Sequence, residues 1–141
     1  MYSCGTDGTV KSWSSPNKQL MYEVMHGNDV YDIVIGREGT PLENKLVSIS
    51  WDKSCRILNL ETGAEVKTVN FDCSCWSIAV DKAQTLIAVG TSNKVTFIET
   101  TNFTKVKEVS MDGYVYSLAF NKRNDCMLAV LKNGEIHSLK F

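Results

Sequence analysis

The chain repeats itself. Short apolar or β-branched runs, each bounded by turn-forming residues, follow one another: VYDIVI, KLVSIS, CRILNL, WSIAV, TLIAVG, KVTFIE, VYSLAF, CMLAVL and EIHSLKF. Three of them open alike, with an aromatic, then Asp or Ser, then Ile or Leu. They begin at Tyr31, Trp76 and Tyr116, steps of 45 and 40 residues. A second series runs in step with the first. Asp7-Gly8-Thr9-Val10-Lys11-Ser12-Trp13 aligns with the seven residues from Asp52 to Leu58, with Ser92 to Ile98 and with Asn133 to Leu139. Those steps are 45, 40 and 41 residues.

A chain that repeats every 40–45 residues or so, with four short strands per unit, is predicted to be a β-propeller. No segment shows sustained helical spacing, and the alternation within the runs is that of strands. The two prolines, Pro16 and Pro41, fall in polar stretches outside the runs, where they break no ladder.

The residues YSCGTDGTVKSW and LVSISWDKSCRILNLETG resemble the second and third strands of a blade of the WD-repeat family. That family places a Ser before a turn Asp and a Trp-Asp pair beyond it. Ser3, Asp7 and Trp13-Ser14 fit these positions in the first unit, and Ser48, Asp52 and Leu58-Asn59 in the second. The resemblance therefore makes Asp52 the turn aspartate, and Trp51-Asp52 is not the pair that names the family. MHGNDVYDIVI resembles the Gly-His element of the same family, with His26 at the histidine position; Phe71 and Met111 stand there in the next two units. The resemblance implies a buried structural network: His26, Ser48 and Asp52 in one unit, Ser3, Asp7 and Trp13 in another.

Laid out on that pattern, the chain is expected to form an all-β, partial β-propeller of about three and a half four-stranded antiparallel blades, fewer than the four to eight of a closed ring. The whole chain, 1–141, is one propeller segment. Its units are roughly 1–25, 26–69, 70–109 and 110–141. Bare blade faces at the two ends would expose broad apolar surface. The missing blades are expected from a longer chain or from another subunit.

Catalytic, metal and cofactor chemistry finds little to stand on. Ser48, His26 and Asp52 spell a hydrolase constellation, but the resemblance makes them structural. An enzyme on a propeller scaffold, hydrolase-like, is the alternative reading. His137 has no companion at metal-ligand spacing, and Cys73-Ser74-Cys75 offers one thiol pair where a zinc site needs about four ligands. The polar connection from Gly36 to Asn44 lacks the Lys-Ser/Thr of a phosphate loop and is expected to be a surface loop.

What remains is a binding surface. The resemblance implies that partners dock on the loops before each inner strand and the turns after each second strand. The outward positions are then Asp29, Trp51, Asp72, Ser74, Asp112, Tyr114 and Lys132, together with Thr6. Trp51 precedes the turn aspartate and is expected to project toward solvent. An aromatic rim among carboxylates suits a protein partner, and a basic peptide segment in particular. The expected role is a non-catalytic scaffold or adaptor for protein–protein interaction.

Charge limits the alternatives. The formal net charge is -1, with 22% charged residues and no basic cluster, so direct nucleic-acid binding is not expected. No apolar stretch is long enough to span a bilayer, and the N-terminal residues lack the basic head and apolar run of a signal peptide. Five cysteines without an export signal suit a reducing compartment, cytoplasmic or nuclear and not secreted.

Overall fold

The structure, a computed structural model, describes residues 1–140. Among them are fourteen strands and no helix, arranged as four antiparallel sheets in which consecutive strands pair. The first sheet holds β1 (Tyr2–Cys4), β2 (Thr9–Trp13) and β3 (Leu20–Met25). The second holds β4 (Val30–Ile35), β5 (Lys45–Ser50), β6 (Ser54–Asn59) and β7 (Glu65–Asn70). The third holds β8 (Cys75–Val80), β9 (Leu86–Thr91), β10 (Lys94–Glu99) and β11 (Thr104–Ser110). The fourth holds β12 (Val115–Phe120), β13 (Cys126–Leu131) and β14 (Ile136–Lys140).

The sheets pack face against face in chain order, and each junction has its own core. Val10 of the first sheet meets Val30, Leu46 and Leu58 of the second. Val47, Ile49, Cys55 and Ile57 meet Ile78, Ile87, Val89 and Ile98 of the third. Ala88, Val95 and Phe97 then meet Leu118, Met127 and Ala129 of the fourth. Strand alternation explains how one strand serves two cores. On β5, Leu46 faces one neighbouring sheet and Val47 the other, so the strand reads as continuously buried. The first and fourth sheets each have one neighbour, and the array is an open, propeller-like one. On the uncovered side of the fourth sheet, Ala119, Leu128 and Ser138 lie in register, as do Ser117, Val130 and Ile136; Leu128 and Ile136 are exposed there.

The repeat is written in the backbone as well as in the side chains. In β4, β8 and β12 the register slips by one residue, at Tyr31, Trp76 and Tyr116 respectively. These are β-bulges, which leave one residue outside the ladder and re-aim its side chain. A second set falls in the outer strands β3, β7 and β11, where Met21, Val66 and Val106 are the extra residues, and all three are exposed. At the end of each outer strand, the N–H of His26, Phe71 and Met111 donates to the carbonyl of Gly8, Lys53 and Asn93.

The residue after each of the first two inner bulges ties one sheet to the next. Asp32 accepts from the backbone N–H of Ile78, and Ser77 Oγ donates to the Val115 carbonyl at 2.8 Å. Side-chain amides make a second tie at the other end of the sheets. Gln84 Oε1 accepts from Arg37 N at 2.8 Å and from Thr40 Oγ1 at 2.7 Å, while Asn124 Oδ1 accepts from Lys82 N at 3.0 Å. The connection from Gly36 to Asn44 differs from the plain surface loop expected of it. It drives Leu42, fully buried, into the core between the second and third sheets. Its first turn comes so close to the Leu42 carbonyl that a side chain at Gly36 would overlap it.

Gly90 marks another close approach. A Cβ there would lie 2.7 Å from Val115 Cγ1 and would also strike Ser77 Oγ, so β12 packs against bare backbone. Gly90→Ala is expected to cost about 1–3 kcal/mol through overpacking. Leu58→Ala, which hollows the junction of the first two sheets, is expected to cost about 2–5 kcal/mol. Urea melts of the two variants beside the parent chain check both values.

Candidate functional site

The inner-strand bulges gather aromatic rings at one place. Tyr31, Trp76 and Tyr116 are each the second residue of an inner strand, and Trp51 and Tyr114 join them from the β5–β6 turn and the approach to β12. Trp76 stands at the centre. Its ring centroid lies 5.2 Å from Tyr31, 4.8 Å from Trp51, 5.1 Å from Tyr114 and 5.3 Å from Tyr116, each at about 60°. Tyr31 and Trp51 are stacked at 5.1 Å and 13°. Such offset and edge-to-face pairs add roughly 0.5–1.5 kcal/mol each beyond the area they bury. Trp76 Nε1 donates to Ser92 Oγ at 3.2 Å, whereas Trp51 Nε1 is buried with no hydrogen-bond partner among the described residues.

The result is a continuous aromatic surface, not a closed cavity. Tyr31, Tyr114 and Tyr116 are 41%, 40% and 46% exposed. Beside Tyr31 lies a small cleft of about 270 Å³, lined by Cys4, Gly5, Thr6, Val30 and Tyr31. A second, of about 290 Å³, is lined by Asp7, His26, Gly27 and Asp29 among others.

The other rim positions take different places. Asp29 accepts the Trp51 N–H at its carbonyl, Ser74 Oγ donates to the Trp51 carbonyl at 3.2 Å, and Lys132 N donates to the Tyr114 carbonyl. These three positions therefore border the rings. Lys132 Nζ lies over the Tyr114 ring, 5.3 Å from its centroid. Asp72 turns away, pairing with Lys94 at 3.1 Å; Lys94 in turn pairs with Glu108. It lines a cleft of about 670 Å³ on the outer flank of the third sheet. Asp112, exposed, precedes Tyr114 by two residues. Trp51 does not stand free in solvent: it is half-buried and wedged against Tyr31 and Trp76.

The structure brings His26, Ser48 and Asp52 together across the first junction. His26 Nε2 lies 2.9 Å from Ser48 Oγ, and Nδ1 lies 3.1 Å from Asp52 Oδ2 and 3.2 Å from Ser54 Oγ. Asp52 also accepts from the N–H groups of Gly27, at 2.9 Å, and Ser54, at 3.0 Å, and pairs with Arg56 at 3.4 Å. Burial, helped by the Arg56 charge and opposed by Asp52, holds the His26 pKa below its ordinary value, favouring the neutral ring. Burial pushes the Asp52 carboxyl up, but Ser54, Gly27 and His26 outweigh it and hold the pKa at about 2.

In the first sheet, Trp13 Nε1 donates to Ser3 Oγ at 2.9 Å, and Asp7 takes Lys11 at 2.6 Å and the hydroxyl of Thr9 at 2.8 Å. His137, by contrast, sits only beside Glu135 at 3.2 Å.

By distance the second-sheet trio has the order of a hydrolase triad. Its chemistry is blocked by position. Ser48 Oγ lies in the middle of β5 with no exposure at all, so no substrate carbon reaches it. What the trio does is anchor the loop after β3 to the turn after β5. Three of the five rings, Tyr31, Trp76 and Tyr116, lie outside the rim residues singled out by sequence. Their signal was the phased aromatic that opens each inner strand.

No family model matches the chain, and no curated protein does. Among solved structures it is similar to the crystal structure of the computationally designed Ika4 protein. The TM-score is 0.84 at 17% identity, over 99% of this chain and 84% of that one. At that identity the likeness bears on fold alone. The chain is an all-β protein of repeated antiparallel sheets, propeller-like and open.

Two measurements test this reading of the site. The unfolded chain binds more protons than the folded one below the usual histidine pKa of 6.5 and again below the usual aspartate pKa of 3.8. Stability should therefore fall as pH drops from about 7.5 to about 5, and fall further toward about 2. His26→Ala should cost about 1–3 kcal/mol at neutral pH and flatten the upper part of that dependence. Trp51→Ala, which strips one ring from the cluster, should cost about 1–3 kcal/mol in the same melts.

Proposed function

We propose that the chain is a non-catalytic segment of a WD-repeat propeller, about three and a half blades, serving as a rigid platform for protein–protein contacts. The observation that carries the reading is the five-ring surface around Trp76. Surface tyrosines and tryptophans held by packing, with little rotamer freedom left to lose, are the side chains on which interface energy concentrates. Here they are presented by inner strands of three sheets and by the turns beside them, so a partner meets a surface fixed by the cores behind it. The phased Ser, Asp and Trp positions and the His26–Ser48–Asp52 network support the family assignment.

On this reading the protein is a scaffold or adaptor of the cytoplasm or nucleus. Further sheets, from a longer chain or another subunit, cover its open faces. A hydrolase on the same scaffold has only the second-sheet trio to offer, and Ser48 is closed to substrate.

Photocrosslinking tests the platform. A benzoylphenylalanine placed at Tyr116 should capture a discrete protein partner that the same group placed at Val66, on an outer strand, does not. The capture should be lost in Tyr31→Ser and Tyr114→Ser variants that retain the parent melting behaviour. Equal capture from both positions, or capture indifferent to the tyrosines, would assign the contact elsewhere.

A further inference from the structure

Charge distinguishes the two sides of the aromatic surface. Of the acidic residues at this end of the sheets, Asp7 is paired with Lys11, Asp52 with Arg56 and Asp72 with Lys94. Asp29 and Asp112 have no cation and no side-chain hydrogen bond among the described residues. Each stands two positions before an exposed tyrosine, Tyr31 and Tyr114. The Tyr114 ring already carries a cation of the chain's own, Lys132 Nζ. The Tyr31 ring carries none. It stacks on Trp51 with one face, borders the small cleft beside Thr6, and has Asp29 close enough for its charge, after burial, to push the Tyr31 hydroxyl pKa up.

We infer that Tyr31 and Asp29 form a seat for an arginine side chain of a partner protein, the guanidinium lying over the ring and forked onto the carboxylate. This rests on the platform reading above and names the partner's chemistry.

A flat ring backed by a second aromatic attracts a cation to its open face through the ring quadrupole. A guanidinium is planar, weakly hydrated and always charged, so it stacks on the ring. Its fork of N–H donors meets both oxygens of one carboxylate, which a lysine ammonium cannot match. An acidic side chain would meet Asp29 with like charge. A purely apolar one would leave that carboxylate desolvated and unpaired, a costly arrangement. Lys132 over Tyr114 is the same ring–cation contact made within the chain, at the start of the fourth sheet.

The test uses the whole chain and two short peptides, Ac-Gly-Ala-Arg-Ala-Gly-amide and its citrulline counterpart, which keeps the shape and removes the charge. The three tryptophan indole N–H signals are followed by NMR. Trp51 and Trp76 belong to the site, and Trp13, on the uncovered face of the first sheet, reports that the fold is intact.

The arginine peptide should move the Trp51 signal and leave Trp13 in place, with a dissociation constant in the millimolar range that weakens as salt is added. Citrulline should bind about tenfold more weakly or worse, and Asp29→Asn should weaken the arginine peptide by a similar factor. Equal binding of both peptides, no effect of Asp29→Asn, or no movement of Trp51 overturns the inference. If it fails while crosslinking at Tyr116 still captures a tyrosine-dependent partner, the platform stands and only the arginine seat is lost. If both fail, the platform reading fails with it.

Discussion

Everything in this protein depends on sheets burying one another. A three- or four-stranded antiparallel sheet has two faces and no means of covering either alone. In the second and third sheets both faces are apolar and both are buried, by different neighbours. A fully buried Val, Leu or Ile contributes roughly 1.5–3 kcal/mol, so the junctions, not the individual sheets, hold the stability. In such an array each unit touches only its neighbours, and stability is close to a sum of unit and junction terms. The polar ties follow the same logic. Asp32 to Ile78 and Ser77 to Val115 bridge successive inner strands, while Gln84 and Asn124 reach back to the preceding sheet.

The inner-strand bulges convert that scaffold into a surface. A regularly alternating strand would send each aromatic to the face opposite the buried residue before it. A one-residue slip at Tyr31, Trp76 and Tyr116 sends the rings to a shared place instead, where Trp51 and Tyr114 complete the group. The residue before each bulge, Val30, Cys75 or Val115, stays buried, and in the second and third sheets the residue after it, Asp32 or Ser77, ties the next sheet. Packing, linkage and presentation thus fall to three adjacent residues of one motif.

Much of this was legible in the sequence because the repeat preserves chemistry as well as spacing. The strands, the absence of helix and the phase of both series follow from the pattern of residues. The expectation that His26, Ser48 and Asp52 meet came instead from the resemblance to a repeat family; two of them lie on one hairpin and the third enters from the loop before it. The bulges were not legible. A slip of one residue leaves the local composition unchanged, and only the partner strand reveals it. Leu42 was hidden for a different reason: it is one apolar residue in a polar loop, and its burial comes from a turn that folds back on Gly36. Trp51 was placed correctly on the turn but not among its neighbours, because its contacts cross to Tyr31 and Trp76 on other strands.

The outer bulges have a consequence of another kind. A sheet edge presents unpaired N–H and C=O groups at regular spacing, a template on which a foreign chain can crystallise as one more strand. At Met21, Val66 and Val106 that spacing is interrupted, so a strand arriving at β3, β7 or β11 loses its register partway along. β14 pairs with β13 through an unbroken ladder from Cys126–Lys140 to Val130–Ile136. Among the described residues, β14 alone of the last strands of the four sheets carries no such interruption.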